Sequence, residues 1–274
     1  MPTLTIITVL KDDLVGFQST LNSIKSQNTF QFEYLVIDGS IDATGLKVQQ
    51  ETKSIPYCSY FFREPAGIYD AMNFGVACAT GDYVLFLNAG DILVSSFVVS
   101  DLLSKLNEHP NVDVFAFSVV YFTPQKFIYS INIPSIQDEK YALFHHQGVL
   151  MNRKTFNALG GFNLNLELAA DGELLDRALQ IGTVRTDDNI ISAFDMTGVS
   201  GSRYWDLLKE INMYRIPSPC SIRVLLTIKN WLRAKLVSSR YLPSFLLLCY
   251  LSYRERKVFR HNPNLKDTDL NLLD

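Results

Sequence analysis

Apolar and polar residues divide the chain into short, nearly continuous apolar runs separated by amphipathic stretches. Leu4–Leu10 (LTIITVL) is almost wholly apolar or β-branched, which predicts a strand covered on both faces. After Lys11-Asp12-Asp13, the residues Leu14, Phe17, Leu21 and Ile24 share one face of a predicted helix. Tyr34–Ile37 predicts a second buried strand. It stops at the polar turn Asp38–Thr44, which can cap the next helix. Cys58–Phe62 predicts a third strand and Arg63–Gly67 a loop.

Gly67–Asp91 organises the rest. Met72, Val76 and Ala79 recur at helical spacing, and Gly81 is expected to stop that helix. The run YVLFL is a buried strand that ends abruptly in Asn88-Ala89-Gly90-Asp91. Open α/β sheets bind ligands outside the carboxyl ends of their strands, so Asp91 becomes the first candidate site residue. Strand–helix alternation over these residues predicts a parallel sheet with right-handed crossovers. Thr8, Asp38 and Asp91 each end or follow a strand, so they are expected along one sheet edge.

The second half is less regular. Val98–Leu106 predicts a helix, and Asp113–Tyr121 and Phe127–Ile133 predict strands. His145 and His146 precede the apolar Val149–Met151 and read as strand residues pointing to opposite faces, which argues against a metal pair. Gly160-Gly161-Phe162 is a turn. Ala169–Gly172 opens a helix with Leu174, Leu175, Ala178 and Leu179 on its buried side, and Glu173 and Asp176 are expected on its solvated side. Val184–Ile191 and Ile191–Met196 are weaker strand signals.

Composition adds three points. The 274 residues, 47% hydrophobic, suffice for a large core, and the net charge of −3 points away from nucleic acid. Residues 220–261 carry nine Lys/Arg against one acid, a net +8, so the remainder carries −11. The expected organisation is therefore a body over 1–215 and a helical, basic and apolar extension over 216–274. That extension could rest on an anionic membrane surface, or pack on the body with its charges solvated. The four cysteines form no CxxC pair and read as reduced core thiols. No signal peptide is evident, and Leu242–Leu251, interrupted by Pro243, falls short of the roughly 20 residues of a membrane span. A cytoplasmic protein, peripheral on the inner face of the membrane, is the expectation.

Four segments in order, EYLVIDGSIDAT, REPAGIYDAMNFGVACATGDYVLFLNAGD, HHQGVLMNRKTFNALGGFN and AADGELLDRAL, resemble family 2 glycosyltransferases over about residues 3–195. The resemblance is to bacterial enzymes that build capsule, exopolysaccharide or O-antigen units, including the colanic acid type. It implies an α/β GT-A fold, Rossmann-like with helices on both faces of the sheet, and inverting transfer from a nucleotide-sugar donor, by family habit a UDP-sugar. It implies a saccharide acceptor and a Mn²⁺ or Mg²⁺ cofactor, and a basic extension resting on a membrane fits an acceptor that is lipid-linked. It assigns Asp171 as catalytic base and Asp91 as metal ligand. Thr8, Asp38, Asp70, Asn73 and Asn88 fall on the donor side, and His146 and Gln147 on the acceptor side. Asn88 and Gly90 stand where the family often has aspartates, leaving Asp91 as the one carboxylate there.

The chemistry suits these residue types. A leaving diphosphate gathers charge that a divalent cation offsets, and such cations often take only one or two protein carboxylates. The acceptor hydroxyl must lose its proton to a positioned base. Each candidate also has a structural alternative: Asp91 and Asp171 as helix caps, Asp38 as a turn residue bonded to its own backbone, His146 as a satisfied core histidine. Among other functions, a nucleotidyltransferase needs a Gly- and Arg-rich phosphate loop that Thr8–Asp13 lacks, and a dehydrogenase needs a GxGxxG after the first strand, which is absent. A degenerate transferase acting as a non-catalytic partner in polysaccharide assembly is the remaining alternative.

Overall fold

A computed structural model describes residues 3–122, 128–132, 134–137, 140–195 and 203–215. The basic extension expected over 216–274 lies outside the described residues.

The first half follows the sequence pattern closely. β1 (Leu4–Leu10), α1 (Leu14–Lys25), β2 (Glu33–Asp38), α2 (Ala43–Thr52), β3 (Cys58–Phe62), α3 (Ile68–Cys78) and β4 (Tyr83–Phe86) alternate along the chain. β1 pairs in parallel with β2 and β4, and β2 with β3. Asp13 caps α1 by accepting from the Gly16 N–H, and Asp42 caps α2 by accepting from that of Thr44. α3 stops at Ala79, whose backbone is extended, so the expected stop at Gly81 falls two residues late. A side chain at Gly81 would instead collide with Thr5, 2.6 Å from its hydroxyl oxygen.

The second half departs from a purely parallel sheet. It comprises β5 (Ile92–Leu93), α4 (Val98–Glu108), β6 (Val114–Phe122), β7 (Ile128–Asn132), β8 (Ser135–Gln137), β9 (Tyr141–Leu143), β10 (Val149–Asn152), α5 (Arg153–Ala158), α6 (Ala170–Ile181), β11 (Val184–Asp195) and α7 (Tyr204–Tyr214). The main sheet runs β3-β2-β1-β4-β10-β6-β11-β5, with β7 beside β6, while β8 and β9 form a separate pair. β10 inserts antiparallel between β4 and β6, and β11 runs parallel to β6 but antiparallel to β5. The two weak strand signals near Ile191 are one strand, β11, whose register shifts between Asp187 and Ser192.

Two cores sandwich the sheet. On one face Phe17, Leu21 and Ile24 of α1 and Val99, Leu102 and Leu106 of α4 pack on Ile6, Tyr34, Leu85 and Phe117. On the other, Met72 and Val76 of α3, Phe156 of α5 and Leu174, Leu175 and Ala178 of α6 pack on Ile7, Leu35, Val84 and Met151. Each fully buried Leu, Ile or Phe of these stripes contributes about 1.5–3 kcal/mol. The layers leave the carboxyl ends of β1, β2 and β4 open at one edge.

Candidate active site

That open edge is a cleft of about 1780 Å³, and Asn88, Asp91, His146, Gln147, Asp70 and Asp171 all line it. Asp91 reaches it through the tight turn Asn88–Asp91, in which the Asp91 N–H donates to the Asn88 carbonyl at 3.0 Å. Gly90 takes φ +94° there, a conformation costly to any residue with a Cβ. Thr20, buried on α1, braces the turn. Its hydroxyl lies 2.7 Å from the Asp91 carbonyl and 3.1 Å from the Gly90 N–H. Sequence reasoning missed Thr20, although its position between Phe17 and Leu21 on the buried stripe of α1 was the available signal. β5, not a helix, follows Asp91, so the helix-cap reading of Asp91 is set aside. Its Oδ2 accepts from the Asn88 N–H and from Gln147 Nε2, each at 3.2 Å.

His146 and Gln147 sit on a 3-10 turn, His146–Gly148, rather than on a strand. Adjacent side chains on this turn reach different acids. Gln147 holds Asp91, while His146 Nδ1 lies 2.9 Å from Asp171 Oδ2 and His146 Nε2 lies 3.2 Å from Asn88 Nδ2. His145 also lines the cleft, with its ring against Tyr121 and Phe194.

Asp171 lies in the first turn of α6, but Ala169 holds the cap position, so Asp171 does not cap the helix. Its carboxylate receives the Tyr69 hydroxyl at 3.1 Å in addition to His146. Burial would raise the Asp171 pKa. The hydrogen bond and charge of His146 outweigh that and hold it at about 2. On His146 burial likewise disfavours the charge, but the hydrogen bond and charge of Asp171, with Asp91 beyond, raise its pKa. Burial first, and then the charge of Asp171, push the Tyr69 phenol well above its ordinary value, so it stays a donor.

Several expected site residues make contacts within the frame. Thr8 is fully buried; its hydroxyl donates to the Leu87 carbonyl at 2.7 Å and accepts from Tyr34 at 3.0 Å. Strand alternation turns it into the core, where it latches β1 to the end of β4. Asp38 ends β2 at the same sheet edge but does not line the cleft. Its carboxylate accepts from the Ser40 N–H at 2.8 Å and from Tyr60 at 3.1 Å, the turn role. Asn73 clasps the backbone of Phe162, donating to its carbonyl at 3.0 Å and accepting from its N–H at 2.9 Å, and so ties α3 to the Gly160–Phe162 turn.

Asp70 does face the cleft, in a two-pronged pair with Arg63 at 2.9 and 3.1 Å. Arg63, a cleft residue the sequence reading did not select, thereby stands at the cleft in an ion pair. Glu173 and Asp176 are not solvated: Arg177 holds the first at 2.7 Å and Arg215 the second at 2.7 Å. Arg177 also donates to the carbonyls of Leu159 and Gly161, fixing the turn that Asn73 grips. Cys58 and Cys78 are free and half-buried, not fully in the core as expected. Among the described residues no helix is long and apolar enough to cross a membrane.

The comparisons agree with this architecture. The family model "Glycosyl transferase family 2" matches residues 5–165. An uncharacterised glycosyltransferase of Mycobacterium tuberculosis (strain ATCC 25618 / H37Rv) is 28% identical over 217 residues, covering 74% of this chain and 78% of that protein. A PGL/p-HBAD biosynthesis glycosyltransferase of Mycobacterium bovis (strain BCG / Pasteur 1173P2) is 28% identical over 174 residues, 62% of this chain and 64% of that one. Among solved structures, the mannosyltransferase PcManGT from Pyrobaculum calidifontis, in complex with GDP-Man and Mn²⁺, superposes with a TM-score of 0.58 at 16% identity, covering 99% and 85% of the two chains. S. aureus TarS 1-349 in complex with UDP gives 0.56 at 16% identity, covering 77% of this chain and 66% of that one, just under two thirds of its length. With the sheet order, the cleft at the strand ends and the family match over more than half its length, the chain has the GT-A fold and belongs to glycosyl transferase family 2.

Proposed function

We propose that the chain transfers a sugar from a nucleotide-sugar, a UDP-sugar in the first instance, to a hydroxyl of a lipid-linked saccharide, with inversion, in bacterial surface polysaccharide assembly. The observation that carries this reading is the pair Asp91 and Asp171 in one cleft, linked through the consecutive residues His146 and Gln147. Asp171 takes the proton of the acceptor hydroxyl as its oxygen bonds to the anomeric carbon. The bond from that carbon to the diphosphate breaks, and the nucleoside diphosphate leaves. A base so positioned contributes about 10²–10⁴ in rate. Tyr69 and His146 each hold one carboxylate oxygen of Asp171 and so set its direction.

The residues fit a divalent cation whose shell the donor completes. Among the described residues no cluster of three or more His, Cys, Asp or Glu forms a closed cage. However, Asn88, whose backbone N–H donates to the Asp91 carboxylate, has a buried Oδ1 with no hydrogen-bond partner. Asp91 and that oxygen would hold Mg²⁺ or Mn²⁺, whose preference is for oxygen ligands with phosphate supplying the remainder. When bound, the ion would offset charge developing on the leaving diphosphate. Arg63 would offer its guanidinium to a donor phosphate only in competition with Asp70.

The division at residue 215 and the seating of 216–274 on an anionic membrane are part of the same proposal. Co-sedimentation of the full chain with anionic but not neutral vesicles is the expected result. The donor is tested by thermal shift with UDP-GlcNAc, UDP-glucose and GDP-mannose, each with and without Mn²⁺. Stabilisation by one nucleotide class, increased by Mn²⁺, supports the reading, and no shift with any donor contradicts it.

A further inference from the structure

Helix α6, which carries Asp171, begins without a capping side chain of its own, because Ala169 stands at the cap position. The backbone that leads into it is held from another element. Glu210, on α7, accepts three consecutive N–H groups: Glu167 at 3.0 Å, Leu168 at 2.8 Å and Ala169 at 3.0 Å. Charge-assisted bonds of this kind are roughly twice as strong as neutral ones. The Ala169 carbonyl then accepts the Glu173 N–H at 3.0 Å, which starts the helix two residues before Asp171. The three bonds therefore fix the point from which Asp171 projects.

α7 grips α6 a second time. Arg215 pairs with Asp176 through two bonds of 2.7 and 2.9 Å and donates to the Ala142 carbonyl at 3.0 Å. The same helix presents Leu207, Ile211 and Tyr214 to the cleft. So α7, which lies beyond the residues matched by the family model, is at once a wall of the cleft and a bracket on the helix of the base.

We propose that Glu210 is a positioning residue for transfer: it sets the turn at 167–169, and through it the place of the Asp171 carboxylate against the reacting hydroxyl. The proposal rests on Asp171 being the base. Displacement of a catalytic group by about 1 Å can cost on the order of 10²-fold in rate. Loss of the carboxylate charge at Glu210 is therefore expected to lower kcat by about 10- to 100-fold and leave donor binding as it was.

The test is donor hydrolysis, in which water replaces the acceptor, read as release of the nucleoside diphosphate from UDP-GlcNAc or GDP-mannose, whichever the chain binds. Four full-length proteins are compared: wild type, Glu210→Gln, Lys209→Ala and Asp171→Asn. Lys209 is exposed on α7 and paired only with Asp206 among the described contacts, and its variant is expected to match wild type. Glu210→Gln is expected to lose kcat by the stated factor with donor KM and calorimetric Kd within about twofold, and to show faster hydrogen exchange at the amides of 167–169. An unchanged kcat overturns the proposal, and so does a fall in kcat matched by equal losses in donor affinity and Tm. Full turnover by Asp171→Asn removes the base assignment and this proposal with it. An inactive Asp171→Asn beside a fully active Glu210→Gln removes the positioning role alone.

Discussion

His146 Nδ1 lies 2.9 Å from Asp171 Oδ2, and the two side chains are only 17% and 23% exposed. Because Asn88 Nδ2 faces the other ring nitrogen at 3.2 Å, the neutral ring keeps its proton on Nδ1 and donates it to Asp171. The imidazole thus orients the carboxylate and, once charged, competes for it.

This coupling sets opposite pH trends for activity and stability. The His146 pKa is raised, burial being outweighed by Asp171. As pH rises through that value the imidazolium loses its charge, Asp171 is no longer neutralised, and kcat is expected to rise. A raised folded-state pKa contributes stability that is full below the unfolded histidine value and is lost as pH rises through the folded one, so Tm is expected to fall over the same window. The depressed Asp171 pKa acts at the acid end: its contribution is present above the unfolded carboxylate value and is lost as pH falls through about 2. A kcat–pH profile of wild type beside His146→Gln checks this, since the variant is expected to lose the limb that His146 supplies.

Asn88 is expected to limit metal affinity. Its Oδ1 is a neutral, buried oxygen without a hydrogen-bond partner, and its backbone N–H donates to the Asp91 carboxylate. Asn88→Asp adds a charge there and is expected to lower the Mn²⁺ concentration for half-maximal stabilisation by about tenfold, the equivalent of roughly 1.4 kcal/mol. Asp91→Asn is expected to abolish the metal-dependent part of the shift. Thermal-shift titrations of Mn²⁺ at fixed donor read both.

The Gly160–Phe162 turn is expected to resist substitution. Gly161 has φ +73°, and a Cβ there would stand 2.6 Å from Asn73 Oδ1. Asn73 cannot yield without releasing both of its bonds to Phe162. Gly161→Ala should cost about 1–2 kcal/mol from the backbone alone, with the clash in addition, measurable as a lower urea midpoint.

The first ninety residues were legible because each βα unit is local: a buried run, a polar turn, then a helical stripe. Asp91 and Asp171 were singled out through the family resemblance, and the structure brings both to one cleft. Thr8 and Asp38 lie at the expected edge but are buried outside the cleft lining, since position at a strand end does not say which way a side chain turns. The insertion of β10 between β4 and β6 joins segments too distant for any periodicity to reveal. Arg63, Arg177 and Glu210 were missed for a related reason. Each acts on a backbone or carboxylate of another element, and only the Glu173–Arg177 spacing of four gives a local sign.

The most direct measurement is the turnover and donor affinity of Asp171→Asn with the nucleotide-sugar that stabilises the wild type. The account expects release of nucleoside diphosphate to fall by at least about 10²-fold while calorimetry gives a donor Kd within about twofold of wild type. Undiminished turnover in that variant would contradict the assignment of Asp171 and the mechanism built on it.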